Sequence, residues 1–275
     1  MNSRAWTIAA ALALTAQGAL GALGAETRSA NDDDWCAESG WNGRRARHCE
    51  VREAALPTGA RLHVDARPNG GIEVRGWDRG EARLRVRITA MGGSAEEARA
   101  VASQVRVHTD GGAIRATGPD SRDGERQWYA SFRLDVPRDA DVDLEADNGG
   151  LHVSGLAGSA KLSTVNGGIH LDGVGGKIEG STSNGGLHVN LTGSEWKGEG
   201  LDVRTTNGGV HLEIPDGYNA RLETSTVNGG VHSDLPVSGG QGRHRSGGRI
   251  ETDLGRGGAT LRLTTTNGGL HVSRD

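Results

Sequence analysis

The stretch Asn148-Gly149-Gly150-Leu151-His152 decides the fold, because it returns five times. The copies are Asn166-Gly167-Gly168-Ile169-His170, Asn184-Gly185-Gly186-Leu187-His188, Asn207-Gly208-Gly209-Val210-His211, Asn228-Gly229-Gly230-Val231-His232 and Asn267-Gly268-Gly269-Leu270-His271. Successive asparagines are 18, 18, 23, 21 and 39 residues apart. Such a period marks a repeat architecture. The last spacing is about two units, which predicts a degenerate unit with residues 249–254 as its strand, after a glycine-rich insertion over 238–248. An outlying copy, Asn69-Gly70-Gly71-Ile72-Glu73, carries glutamate in place of histidine, and Asp110-Gly111-Gly112 reads as a further relic.

Alignment on the asparagine exposes a period of two. Six residues before it stand Val142, Ala160, Ile178, Leu201, Leu222 and Leu261. Two before it stand Ala146, Thr164, Thr182, Thr205, Thr226 and Thr265. Polar residues such as Lys161, Glu179, Asp202 and Arg262 alternate with these, the pattern of a half-buried strand. After the turn Leu151, Ile169, Leu187, Val210, Val231 and Leu270 point inward, so the histidines beside them point outward.

Asn148, Asn166, Asn184, Asn207, Asn228 and Asn267 are therefore turn-forming positions. Asparagine and glycine accept positive φ cheaply, which lets the chain reverse within three residues. Two architectures fit. In a β-solenoid each strand pairs with its equivalents in neighbouring units. In an antiparallel meander each Asn-Gly closes a hairpin. Recurrence of near-identical residues at equivalent positions favours the solenoid. The expected fold is all-β, a single-stranded β-helix-like solenoid over residues 141–275. A β-rich region over 57–140, with one short helix near Ser94 to Ser103, caps it. Ser94 and Glu97 form the capping-box pattern of that helix. Trp77, Trp128, Tyr129 and Phe132 are the candidate fillers of the cap's core. The last repeat leaves an open C-terminal end, through which a second molecule can pair.

Composition agrees with a thin stacked core. Glycine numbers 46 of 275 residues and aromatics reach only 3%. Residues 1–24 read as a secretory signal peptide: Arg4 supplies the positive start, residues 5–14 the apolar stretch, and small residues a cleavage site. That stretch falls short of the ~20 apolar residues that span a bilayer. Cleavage would remove Arg4 and move the net charge from −4 to −5. An acidic balance excludes an electrostatic case for nucleic acid. No second apolar run follows, so no membrane span is expected in the mature chain. Residues 25–56 form a flexible segment stapled by Cys36 and Cys49; in an exported chain this pair makes a disulfide, with a metal site including His48 as the alternative.

The Asn-Gly-Gly repeats, the signal peptide and the segment leading into Cys49-Glu50-Val51-Arg52-Glu53 together resemble a bacterial β-strand-repeat family of unknown function, labelled putative adhesin. The resemblance covers roughly residues 36–275 and implies an exported β-solenoid of the periplasm, the outer cell surface or the medium. It implies no catalytic residues.

The sharpest chemical feature is the set His152, His170, His188, His211, His232 and His271. Stacked units would place them in one column at about 4.8 Å pitch. Such a column could chelate a divalent transition metal between rungs or titrate near pH 6.5. The bland alternative is a solvated packing ladder. No nucleophile elbow, P-loop, zincin or calcium nonapeptide is present, so no enzyme activity and no dedicated cofactor are expected. Two functions follow: a surface or envelope interaction or scaffold module meeting a protein or glycan, and a periplasmic metal-binding or pH-responsive protein built on the histidine column.

Overall fold

The computed structural model describes residues 26–28, 34–37, 45–57, 59–120, 127–235 and 247–274. The signal peptide expected over 1–24 lies outside them. Each Asn-Gly-Gly unit contributes one strand before its turn and one after, and the two enter different sheets. The Asn148 unit, for example, comprises Val142–Ala146 and Leu151–Ser154. The strands before the turns pair in parallel with one another, as Val142↔Ala160 and Leu144↔Leu162. Those after the turns do the same, as Leu151↔Ile169 and His152↔His170. No hairpin forms across these turns, which rules out the meander. Each unit is a rung, and the rungs stack in register.

Seven rungs are present among the described residues, counting Asn69 with Leu62–Asp65 and Ile72–Trp77. Their spatial order departs from chain order. The last repeat, Thr260–Asn267 with Leu270–Arg274, lies between the Asn207 and Asn228 rungs. Strand Gly248–Leu254 builds no rung of its own. It runs antiparallel along the outside of Ala220–Asn228 and ends the sheet. The turn that follows crosses over the start of that strand, where Arg256 N–H donates to Asn219 Oδ1 at 2.8 Å and Arg221 N–H to the Ala259 carbonyl at 3.0 Å. Two expectations are corrected here. Among the described residues there is no degenerate rung, and the last repeat is not an open end, because rungs flank it on both sides.

The turns also correct the reason given for their glycines. Neither glycine of any Asn-Gly-Gly turn has positive φ. The first glycine is required by close approach instead. A Cβ on Gly167 would lie 2.0 Å from the Gly149 carbonyl oxygen, and the same holds for Gly185 against Gly167 and Gly208 against Gly185. Only glycine lets the turns stack at this separation. The Asp110-Gly111-Gly112 relic differs: it is a 3-10 turn with φ of 59° and 84° at its glycines.

Three kinds of side-chain or backbone bond tie the rungs. Asparagine Nδ2 donates to the Oδ1 of the preceding rung throughout, from Asn148 to Asn69, and onward to Asn228 on Asn267, at 2.8–3.1 Å. Buried threonine hydroxyls donate to the first-glycine carbonyl of the preceding rung, as Thr164 to Gly149 at 2.9 Å and Thr182 to Gly167 at 2.8 Å. The second-glycine carbonyl accepts the N–H that opens the neighbouring strand, as Leu151 on Gly168 at 2.9 Å. Between the sheets runs one apolar core that includes Leu144, Leu162, Leu171, Val203, Leu212 and Leu263. At roughly 25 cal/mol per Å2, this burial is the main stabilising contribution of each rung.

At the other end the after-turn sheet continues into Gln127–Pro137, Ala82–Gly92, Ala46–Leu56 and Glu26–Arg28. Thus residues 46–56, expected in a flexible segment, form an 11-residue strand paired along its length with Ala82–Gly92. The helix Ala95–Gln104 packs on this part of the sheet through Ala98, Val101 and Ala102. Its Glu97 N–H donates to Ser94 Oγ, and Glu97 Oε2 accepts from Gly93 N–H. Arg52 donates to the Ala102 and Val105 carbonyls at the helix end, where a cation suits the macrodipole. Of the four aromatics expected in this core only Phe132 is fully buried. Trp77 lies at the surface under Arg79 and Arg83, and Trp128 and Tyr129 are part-exposed. No described helix is long and apolar enough to cross a membrane.

Candidate functional site: a histidine ladder

Strand alternation fixes what the outer face of the eleven-stranded sheet shows. Leucine, isoleucine or valine at the third step after asparagine turns inward. Glycine at the second step, histidine at the fourth and a polar residue at the sixth turn outward. Stacking converts these into three parallel columns. All six histidines fall in one of them, in the order His152, His170, His188, His211, His271, His232.

The ladder is not uniform. His170 and His188 stack at 4.7 Å with a 4° interplanar angle. His211, His271 and His232 form a second stack at 4.8 and 4.9 Å. Between these groups the rings tilt and separate, by 5.9 Å from His188 to His211 and 6.1 Å from His152 to His170. The sixth-step column explains the breaks. His152 Nε2 reaches Asp172 Oδ2 at 2.8 Å, His211 Nε2 reaches Glu213 at 3.3 Å and His232 Nε2 reaches Asp234 at 3.6 Å. His170 and His188 lean the opposite way, over the bare backbone of Gly168 and Gly186. Their Nε2 atoms lie 3.3 and 3.4 Å from where a Cβ on those glycines would stand. A carboxylate within reach goes with the lean of His152, His211 and His232, while His271, followed by Ser273, stacks between His211 and His232 without one.

Burial holds the His170 pKa below the ordinary histidine value; His188 and His152 on either side push it further down, and Asp172 opposes them. Where the rings lean away from the glycines a shallow trough opens. One depression of about 530 Å3 is floored by Gly209, Gly269 and Gly230 and walled by His211, His271 and His232. Among the described residues no group of three or more histidine, cysteine, aspartate or glutamate side chains is gathered closely enough to hold a metal ion.

The histidine column continues past the repeats. Glu73 stands in register with His152, Arg133 with Glu73 and Arg85 with Arg133. Arg133 Nε donates to Glu73 Oε2 at 2.7 Å. The Trp35 ring lies against both Arg133 and Arg87, at 4.3 and 4.9 Å from their guanidinium carbons. Cys36 and Cys49 are joined in a disulfide with Cα atoms 5.9 Å apart, in a small cluster with Trp35 and Val51. Sequence reasoning missed this extension. Its signal was the alternation Arg83-x-Arg85-x-Arg87, which sets three arginines on one face of a strand.

Stacked parallel rungs closing two sheets over a shared core, with side-chain ladders on turn and face, define a two-sheet β-solenoid repeat protein. The chain belongs to the Toastrack family, DUF4097, which it matches over residues 85–273. It is similar to a crystal structure of a putative cell adhesion protein from Clostridium sporogenes ATCC 15579, with 8% identity, 84% of this chain and 100% of that chain covered, and a TM-score of 0.37. It is also similar to one of a putative adhesin from Bacteroides fragilis NCTC 9343, with 8% identity, 83% and 97% coverage and a TM-score of 0.40. No curated protein matches the sequence.

Proposed function

We propose that this chain is an exported, non-enzymatic, adhesin-like module of the cell surface or envelope, which presents its long sheet faces to a partner protein or glycan. The observation that carries this reading is the outer face of the eleven-stranded sheet, where seven rungs repeat the same three columns without an insertion breaking them. A rigid, periodic surface suits contact over an extended area better than chemistry at a point. The disulfide supports an oxidising compartment. In this reading the region before residue 140, with its helix, closes one end of the stack and shields its edges. The experiment is protease shaving of intact cells followed by blotting. Loss of the protein while a periplasmic control survives supports surface display, and survival until the envelope is broken defeats it.

The histidine ladder favours a second reading, a periplasmic metal-binding or pH-responsive protein. Neighbouring imidazoles at 4.7–4.9 Å offer paired nitrogens to a transition metal, although rings must rotate to gather more than two ligands. Titration of zinc or nickel into the wild type and into a variant with His170, His188 and His211 changed to alanine tests it. Equal uptake by both proteins removes the metal reading.

A further inference from the structure

We propose that the outer face of the eleven-stranded sheet binds a carboxylated linear glycan under acidic conditions, along a stripe running from Arg85 and Arg133 down the histidine ladder. The inference rests on the reading of this face as an interaction surface and names the partner's chemistry.

Register makes the stripe continuous. Arg85, Arg133, Glu73 and then the six histidines occupy one column, bordered on the same face by Arg83, Asp135 and Arg75 and by the sixth-step residues. The fixed cations of these two columns are the four arginines, and Arg87 stands beside them on the same face, in register with Ser131. The carboxylates facing them and the histidines are Glu53, Glu73, Glu81, Asp135, Asp172, Glu213 and Asp234. Seven carboxylates against five guanidiniums repel an anionic polymer near neutrality. Histidine gains a proton in the weakly acidic range, so acidification adds up to one positive charge per histidine rung, and six imidazoliums outweigh that excess of acid. Opposite charge on partner and patch steers association and selects partners.

The form of the stripe narrows the ligand further. One imidazole per rung, held by parallel strands, places a charge every 4.7–6.1 Å along one column. That layout suits an extended polymer with one charge per residue. Single-stranded nucleic acid also qualifies by charge, but its binders offer aromatic faces for bases to stack on. Here the ring faces are occupied by one another at 4.7–4.9 Å. The glycine-floored trough beside His211, His271 and His232 gives a sugar ring room to lie flat against the backbone. Pairing of imidazolium with uronate carboxylate along that trough supplies charge-assisted hydrogen bonds.

The test is fluorescence anisotropy of labelled polygalacturonate titrated with the purified full chain at about pH 5 and about pH 8, in about 50 mM salt so that screening stays weak. The expected result is binding at least ~10-fold tighter at the lower pH, weakened by added salt. The triple variant His170→Gln, His188→Gln, His211→Gln should lose most of that ratio. Should circular dichroism show that this variant does not fold, the single variants His188→Gln and His271→Gln should each reduce the ratio in part. No binding at the lower pH, equal binding at both, equal binding of neutral dextran, a preference for polyphosphate, or a full ratio in the variants each overturns the proposal. Failure of surface display in the shaving experiment leaves this measurement untouched, so the two readings fail separately.

Discussion

Asn228 Nδ2 donates to Asn267 Oδ1 at 2.8 Å, and Asn267 in turn donates to Asn207 across 60 residues of sequence. The asparagine ladder therefore follows the spatial order of rungs, not the order of synthesis. A mid-ladder member both gives and receives: Asn184 donates to Asn166 and accepts from Asn207. Asn184→Ala should cost about 1–2 kcal/mol, because two exposed hydrogen bonds are lost. A thermal melt should show a fall of several degrees. An unchanged midpoint would show that water replaces the ladder at no cost.

The two glycines of one turn should behave differently. A Cβ on Gly167 meets the Gly149 carbonyl oxygen at 2.0 Å, while on Gly168 its nearest neighbours, the Gly186 carbonyl oxygen and His170 Nε2, are 3.3 Å away. Gly167→Ala is expected to cost more than ~3 kcal/mol or to prevent folding, since backbone of the next rung must move. Gly168→Ala should stay within about 1 kcal/mol, with His170 rotating aside. Urea unfolding of both variants decides the matter, and equal losses would contradict the close-approach argument.

Two threonines make a second contrasting pair. Thr182 Oγ1 donates to the Gly167 carbonyl at 2.8 Å. Thr224 Oγ1 is buried and has no hydrogen-bond partner among the described residues. Thr182→Val should lose about 1 kcal/mol, leaving a carbonyl lone pair unmet. Thr224→Val should be neutral or stabilising, because a buried hydroxyl without a partner is replaced by a methyl. Chemical denaturation measures both, and loss of stability at residue 224 equal to that at residue 182 would sink the distinction.

The lowered pKa of His170 fixes the sign of a pH effect. A base whose folded pKa lies below its unfolded value holds fewer protons in the folded chain. Its favourable contribution is therefore present above the unfolded value, near pH 6.5, and is lost as pH falls through that value toward the folded pKa. The melting temperature should drop through this window in the wild type and drop less in His170→Gln. Parallel pH profiles for the two proteins would show that His170 contributes nothing to acid sensitivity.

How far the sequence carried the reading depends on what each feature needs. The alternation of Leu151, His152 and Val153 is a local property, so inward and outward faces were legible without coordinates. Recurrence of the pentapeptide pointed to stacking in register. Rung order was not legible, because the Asn267 copy matches the others and nothing local says which neighbours it takes. The glycine pattern was read correctly as a turn but for the wrong cause: a clash between rungs is invisible until the rungs are apposed. The column itself was expected, whereas its division into leaning groups depends on Asp172, Glu213 and Asp234 lying within reach of particular rings. The arginine extension went unseen because it joins strands far apart in the chain.

The placement of residues 260–274 between two earlier rungs has a consequence for how the molecule comes into being. A chain that emerges from its amino end can lay down rungs one upon another as far as Asn207. The Asn228 segment then has no permanent seat. It must wait, or rest provisionally on its predecessor and be displaced, until residues 260–274 arrive and slot in as a keystone. Completion of the stack thereby waits on the synthesis of residues 260–274, and a product cut short before them forfeits two rungs rather than one.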